Sequence, residues 1–145
     1  SYFHEYLQAL LKEKGDAGER IIMIAIKDEG TGALTPVLLD DLRELGIQTD
    51  LKGKYRNSYY AVITENDIVE DVSSSKEIRT AGQIGDLSYE IASAGYLVGN
   101  RSSIIINGTE YSKNVRGMNM VVVENGQVVE SIAFDTCSRE MRVTR

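Results

Sequence analysis

Tryptophan is absent from this chain of 145 residues, and cysteine, proline and histidine each occur once. The single Cys137 cannot form a disulfide within the chain, so a scaffold stapled by disulfides is excluded and the redox compartment stays open. No apolar run approaches the roughly 20 residues that span a bilayer, and we therefore predict no membrane insertion.

Basic residues are outnumbered, because 22 Asp and Glu stand against 16 Lys and Arg and the net charge is -6. Neutralising a phosphate backbone requires clustered Lys and Arg, so this balance disfavours nucleic acid as a partner. A chain of this length, 42% hydrophobic, can bury roughly 70% of its unfolded surface in one core. We predict a single domain over residues 1–145.

Two segments have helical periodicity, and one has the pattern of a buried strand. Apolar side chains recur on one face of Tyr2–Lys14, and Gly15 ends that helix. Thr35 caps a second helix, which starts with a proline and ends at Gly46. Between them, Ile21–Ile26 is a continuous apolar run rich in β-branched residues, which predicts a central strand covered on both faces.

The remaining sequence predicts short strands joined by turns. Ser58–Ile63 and Leu87–Ala92 have strand-forming composition, and the Asn-Gly pairs at Asn107 and Asn125 suit two-residue hairpin turns. Residues 73–86 have the composition of a linker. Runs of strands beside separated helices indicate an α+β fold, with antiparallel, sandwich-like sheets and two or three short helices packed on one side.

Two motifs stand between Asn114 and Thr136, namely Arg116-Gly-Met-Asn119 and Phe134-Asp-Thr136. This stretch resembles the opening of the interleukin-like epithelial-mesenchymal-transition inducer domain, also called the GG domain. The helices and strands that follow this opening in the family resemble those of residues 1–72 here. The family order is therefore rotated, with residues 87–145 as its first part, residues 1–72 as its second part and residues 73–86 as a linker.

Three arrangements account for the rotated order: a circular permutant, a chain cut out of phase from a tandem array, or a module completed by exchange with a neighbouring chain. Each of them places Arg145 beside Ser1 of the same chain or of a neighbour. We also predict that the hairpin Gly117–Phe134 pairs in the same sheet as Ile21–Ile26.

Ile24–Gly30 and Tyr55–Ser58 look most like the stem domain of protein O-mannose N-acetylglucosaminyltransferase, which binds β-linked N-acetylglucosamine glycans. By motif, the sugar-contacting Asp and Arg of that domain correspond to Asp28 and Arg56. Such a pair suits a sugar, because a carboxylate accepts hydrogen bonds from hydroxyl groups and a guanidinium donates to others.

We predict that the ligand-binding residues are Asp28, Glu29, Tyr55, Arg56 and Asn57, with Tyr55 covering the face of a pyranose ring. This chain has tyrosine at position 55, where the related stem domain has tryptophan. The alternative for Asp28 and Arg56 is an ion pair that locks the strand end to the next loop.

The resemblance implies a non-catalytic carbohydrate-binding accessory module for N-acetylglucosamine-type glycans. It would be tethered to a glycan-handling domain such as a glycosyltransferase, and an extracellular or cell-surface location is favoured. The alternative is a protein-interaction or assembly module, including a homo-oligomer, since GG domains also occur in phage tail fibres and cytokine-like proteins.

The residue types and their spacing give little support for a catalytic site. Cys137 and His4 are the obvious nucleophile and base, but no third group that would orient them is evident. Carboxylate pairs for glycoside hydrolysis can be drawn only from unremarkable acidic residues, Asp16, Asp28, Glu29 and Asp135. We predict no enzymatic activity, no cofactor and no metal site.

Overall fold

The computed structural model describes residues 1–13 and 19–145. The helices are α1 (Tyr2–Lys12) and α2 (Pro36–Leu45), with a short 3-10 turn at Tyr96–Val98. The strands are β1 (Arg20–Asp28), β2 (Ser58–Ile63), β3 (Ile68–Ser73), β4 (Ile78–Ile84), β5 (Leu87–Gly95), β6 (Arg101–Ile106), β7 (Thr109–Glu110), β8 (Gly117–Glu124), β9 (Gln127–Phe134) and β10 (Val143–Thr144). The predicted helix end at Lys14 and Gly15, and the carboxylate of Asp16, lie outside the described residues.

Strand β1 is the centre of a mixed, mostly antiparallel sheet. It pairs antiparallel with β8 from Arg20 to Lys27 and with β2 on its other side. The order continues as β10-β9-β8-β1-β5-β6-β7, with β2 and β3 branching from β1 and β4 pairing with β5. The prediction that the hairpin Gly117–Phe134 shares a sheet with Ile21–Ile26 is confirmed.

The described strands belong to one sheet that curls like half a barrel, so the predicted sandwich of two sheets is not confirmed. Alternate side chains of β1 belong to two different cores, because strand residues point to opposite faces in turn. One set packs under the helices, and the other lies in the core on the opposite face of the sheet. The helix-facing set is Ile22, Ile24 and Ile26, and the opposite set is Ile21, Met23 and Ala25.

Both helices cover the same face of the sheet, as the α+β prediction requires. Phe3 and Leu7 of α1 and Leu38 of α2 are buried in the core that lies on that face. The Thr35 hydroxyl accepts from the backbone N–H of Leu38, which confirms the predicted N-cap. The helices therefore leave the opposite face of the sheet to a core whose buried residues all come from strands.

Near the carboxyl end of β1, the strand that pairs with it changes from β2 to β5. Residues 22–25 pair with β2, while Lys27 and Asp28 run parallel to β5. The Ser93 hydroxyl donates to the Ile26 carbonyl oxygen at 2.5 Å and accepts from the Tyr59 N–H at 2.8 Å. Because a buried backbone group without a partner is costly, this serine stabilises the fork in the sheet. The fork brings Asp28 beside Gly95.

The hairpin predictions at the two Asn-Gly pairs are confirmed. Asn107 and Gly108 have φ of 49° and 85°, and Asn125 and Gly126 have φ of 49° and 78°. Positive φ at both central residues is typical of a type I′ turn, whose twist matches that of the flanking strands.

The prediction that residues 73–86 are a linker is wrong for Ile78–Ile84, which forms β4 and pairs antiparallel with β5. The sequence signal is weak because β4 lies at an edge. Ile78 is its one fully buried side chain, and the other positions alternate between half-buried and exposed. Glycine at position 82 weakens the pattern further.

The two ends of the chain lie together, as predicted. The Arg145 guanidinium donates to the Tyr2 hydroxyl and lies 5.8 Å from the centre of its ring. Phe134, at the end of the last long strand, stacks on Phe3 of the first helix with ring centres 4.4 Å apart. The first and last segments therefore share one core, which the rotated order predicts.

Candidate functional site

Three loops converge at the carboxyl end of β1: residues 29–34, residues 51–57 and the 3-10 turn after β5. The parallel register places Asp28 opposite Gly95. Gly95 is also in close contact with the second loop, because a Cβ atom there would lie 2.1 Å from the Arg56 carbonyl oxygen. Asp28 and Arg56 adopt positive φ, 66° and 57°, a conformation that aspartate tolerates but that is uncommon for arginine.

Glu29, predicted as a ligand contact, holds these loops together from inside. Its side chain is buried, with 2% of the residue exposed. The carboxylate accepts from the N–H and hydroxyl of Thr31, from the Gly32 N–H at 2.6 Å and from the Arg56 N–H at 3.1 Å. Its oxygens are therefore committed to the protein, and Glu29 acts by positioning Arg56.

A Glu29→Gln variant tests this role. Glutamine keeps the size but offers one acceptor oxygen and an NH₂ group where four donors converge, so we expect unfolding free energy to fall by about 1 to 2 kcal/mol. Chemical denaturation followed by circular dichroism measures the change. Glu44→Gln, at an exposed position of α2, is the matched control. Equal stability of the two variants would contradict an anchoring role for Glu29.

The Arg56 guanidinium lies between two tyrosine rings. Its central carbon is 5.0 Å from the ring centre of Tyr55 and 4.5 Å from that of Tyr96. Both distances are within the range of a cation–π contact, which fixes a side chain that is otherwise flexible. We call Tyr55, Arg56 and Tyr96 the aromatic platform.

The aromatic platform is accessible. Tyr55 is 59% exposed and Tyr96 is 46% exposed, and Arg56 is half-buried. Asn57 stands at its margin, where its side-chain NH₂ donates to the Tyr55 carbonyl oxygen at 3.1 Å. Three of the predicted site residues, Tyr55, Arg56 and Asn57, are therefore together at the surface.

Asp28 lies in a separate depression. It lines a cleft of about 360 Å³ together with Arg116, Asp135, Arg142 and their neighbours, and Arg56 is not part of this lining. Asp28 and Arg56 form no ion pair in the described part of the chain, so the alternative of a locking salt bridge is not supported. The backbones of Asp28 and Arg56 lie close together, but the Asp28 side chain lines this cleft and the Arg56 side chain contacts Tyr55 and Tyr96.

Arg116 and Asp135, from the two motifs that carry the family resemblance, form a bidentate ion pair. The Arg116 Nη2 atom is 2.7 Å from Asp135 Oδ2, and its Nε atom is 3.1 Å from Oδ1. This hydrogen bonding, with the attraction of the Asp135 charge, raises the pKa of Arg116 above its usual value. The pair joins the start of β8 to the end of β9, as expected for residues that mark the fold.

Cys137 does not resemble an activated nucleophile. Burial, together with the charges of Glu29, Asp135 and Asp28, raises the pKa of its thiol, and Arg116 only partly opposes the shift. Near neutral pH the thiol therefore stays protonated, whereas the thiolate is the reactive form. His4 is occupied elsewhere, because its Nδ1 atom is 2.5 Å from the Asp41 carboxylate.

The described residues also contain no group of three or more His, Cys, Asp or Glu side chains placed to hold a metal ion. Among the described helices, none is long and apolar enough to cross a membrane. The chain matches no protein-family model, no curated protein and no solved structure. The resemblance to the GG family therefore stays a prediction.

Tyr96 is the member of the aromatic platform that sequence reasoning missed. It follows Gly95 and precedes Leu97, and this apolar run looks like the continuation of a buried strand. Glycines at positions 95 and 99 flank Tyr96–Val98. These two glycines are the one signal in the sequence that the chain turns here and exposes the apolar side chains between them.

Proposed function

We propose that this chain is a non-catalytic carbohydrate-binding module whose ligand lies on the aromatic platform. The observation that carries the proposal is the cation–π contact of Arg56 with two exposed tyrosines. An exposed aromatic ring held in place by a cation offers an apolar surface whose orientation is set before the ligand arrives, which lowers the entropic cost of binding.

The chemistry of the platform suits a sugar. The C–H face of a pyranose ring packs against an aromatic plate, and its hydroxyl groups require donors and acceptors close by. Tyr96 and Tyr55 supply plates with hydroxyl groups, Arg56 supplies N–H donors and the Asn57 amide oxygen supplies an acceptor. The family resemblance favours N-acetylglucosamine-type glycans and an accessory role beside a glycan-handling domain outside the cell or at its surface.

Alanine substitutions at Arg56 and Tyr96 test the proposal. Titration with a β-linked N-acetylglucosamine tetrasaccharide should show that each variant loses about 1 to 3 kcal/mol of binding free energy, because each removes a polar or an apolar contact. Arg145→Ala is the matched control, since the Arg145 guanidinium also lies over a tyrosine ring, that of Tyr2.

Unchanged melting temperatures must accompany the loss of affinity at Arg56 and Tyr96. If both variants bind the tetrasaccharide as the unmodified chain does, or if a panel of glycans gives no binding to the unmodified chain, the proposal is wrong.

A protein-interaction or assembly module is the second candidate, and Leu97 favours it. This leucine is 77% exposed and stands next to Tyr96, so the platform continues into an apolar surface. Scattered exposed apolar residues are ordinary, but a leucine beside two exposed aromatic rings is typical of contact surfaces between proteins. Sedimentation that depends on concentration and is abolished by Leu97→Asp, without glycan binding, would favour this function.

A further inference from the structure

The loop that bears the aromatic platform is basic in an acidic protein. Lys52, Lys54 and Arg56 alternate along it, although the net charge of the chain is -6. None of the three forms an ion pair with a described residue. Five other arginines of the described chain have carboxylate partners, namely Arg43, Arg79, Arg101, Arg116 and Arg145, whereas Arg20, Arg139 and Arg142, like Arg56, form no ion pair with a described residue.

Glu29 contacts the backbone of Arg56 but forms no ion pair with its guanidinium. Glu29 directs its oxygens to backbone N–H groups, including that of Arg56, and to the Thr31 hydroxyl. Within residues 1–13 and 19–145, the Arg56 guanidinium therefore has aromatic neighbours but no anionic partner.

The chemistry of the guanidinium indicates which part of Arg56 can bind a ligand. A guanidinium is planar, and its N–H bonds point outward along its edge. Because the rings of Tyr55 and Tyr96 offer no carboxylate or carbonyl oxygen, these contacts leave the N–H edge to donate to a ligand. A planar carboxylate matches such an edge with two parallel hydrogen bonds, which are stronger than bonds to a neutral hydroxyl.

We propose that the glycan ligand is acidic, and that Arg56 binds a carboxylate carried by one of its sugar rings while Tyr96 or Tyr55 covers the ring. This inference rests on the proposed carbohydrate-binding function and adds the chemical class of the sugar. Lys52 and Lys54 add positive charge to the same loop.

A single carboxylate fits this surface better than a polyanion. Tracking a polyanion requires an extended groove of cations, and its binding falls steeply with salt. Here three cations occupy one short loop, and the excess of acidic residues elsewhere opposes a long anionic chain. Recognition therefore depends on short-range hydrogen bonds at Arg56, which salt screens weakly.

The test compares two ligands that differ in one charge. The intact chain is titrated with a trisaccharide that ends in N-acetylneuraminic acid linked to N-acetyllactosamine, and with the methyl ester of its carboxylate. We expect the acid to bind about tenfold more tightly than the ester, because the ester loses the charge-assisted pair of hydrogen bonds. A sulfated N-acetyllactosamine shows whether a tetrahedral anion replaces the planar one.

Variants of Arg56 test whether its guanidinium group causes the preference for the acid over the ester. Arg56→Gln should bind acid and ester equally, and Arg56→Lys should recover only part of the preference because an ammonium group cannot form the paired hydrogen bonds. Arg145→Gln, the control on Tyr2, should keep the full preference, and circular dichroism should show that all variants are folded.

The outcomes separate this inference from the function on which it rests. Equal affinity of the unmodified chain for acid and ester would overturn the acidic class and leave carbohydrate binding intact. Absence of binding to the acid, the ester and the neutral tetrasaccharide would overturn both. Binding of dextran sulfate or a single-stranded oligonucleotide as tight as that of the acid, and lost with added salt, would show a polyanion surface and overturn the inference.

Discussion

A Phe134→Ala variant should lose about 3 to 5 kcal/mol of unfolding free energy, a large part of the total stability of a domain this size. Phe134 is fully buried at the end of β9. Its ring stacks on Phe3 with centres 4.4 Å apart and lies 5.2 Å from the ring centre of Tyr6. Removing it leaves a cavity between the first helix and the last hairpin.

The size of this effect follows from where the aromatic cluster lies. Helix α1 begins the chain and β9 is close to its end, so the contact of Phe3 with Phe134 closes almost the whole length of the sequence. Large-to-small substitutions cost most where the surroundings cannot collapse into the space, and a helix packed on a sheet has little freedom to do so.

Urea denaturation followed by far-ultraviolet circular dichroism measures the loss. Val129→Ala is the matched control, because Val129 is on the same strand and is 53% exposed. We expect that control to stay within about 0.5 kcal/mol of the unmodified chain. A loss of unfolding free energy below about 1 kcal/mol for Phe134→Ala would show that the packing of α1 contributes little to the stability of the core.

The parts of the fold that could be predicted from sequence are those with strong local signals. The run Ile21–Ile26 is apolar at every position and proves buried on both faces. Thr35 and Gly46 mark the ends of α2, and the turns at Asn107 and Asn125 have the backbone angles that Asn-Gly favours. In each case a few neighbouring residues determine the structure.

Features that depend on distant contacts were not predictable in this way. Strand β4 has one buried side chain, Ile78, and owes its conformation to pairing with β5. The separation of Asp28 from Arg56 depends on the fork in the sheet and on positive φ at both residues. Aspartate tolerates a left-handed conformation without requiring one, and arginine rarely adopts one, so the direction of the two side chains was not visible in the motif.

Glycine 95 connects the stability of the fold to the aromatic platform, and Gly95→Ala should damage both. Its φ of -62° and ψ of 174° are open to any residue, so the substitution causes no backbone strain of its own. The added Cβ would lie 2.1 Å from the Arg56 carbonyl oxygen and 3.0 Å from its carbon. Backbone atoms cannot rotate away as a side chain can, so the loop that carries Arg56 must move.

We expect Gly95→Ala to lower the unfolding free energy by about 3 kcal/mol, the upper end of the cost of overpacking. Glycan binding should weaken with it, because Arg56 shifts relative to Tyr96. Gly82→Ala is the comparison, since a Cβ there would meet the side chain of Tyr89 and no backbone atom among its three nearest neighbours. If Gly95→Ala keeps both its stability and its affinity, the close contact between β5 and the Arg56 loop does not position the aromatic platform.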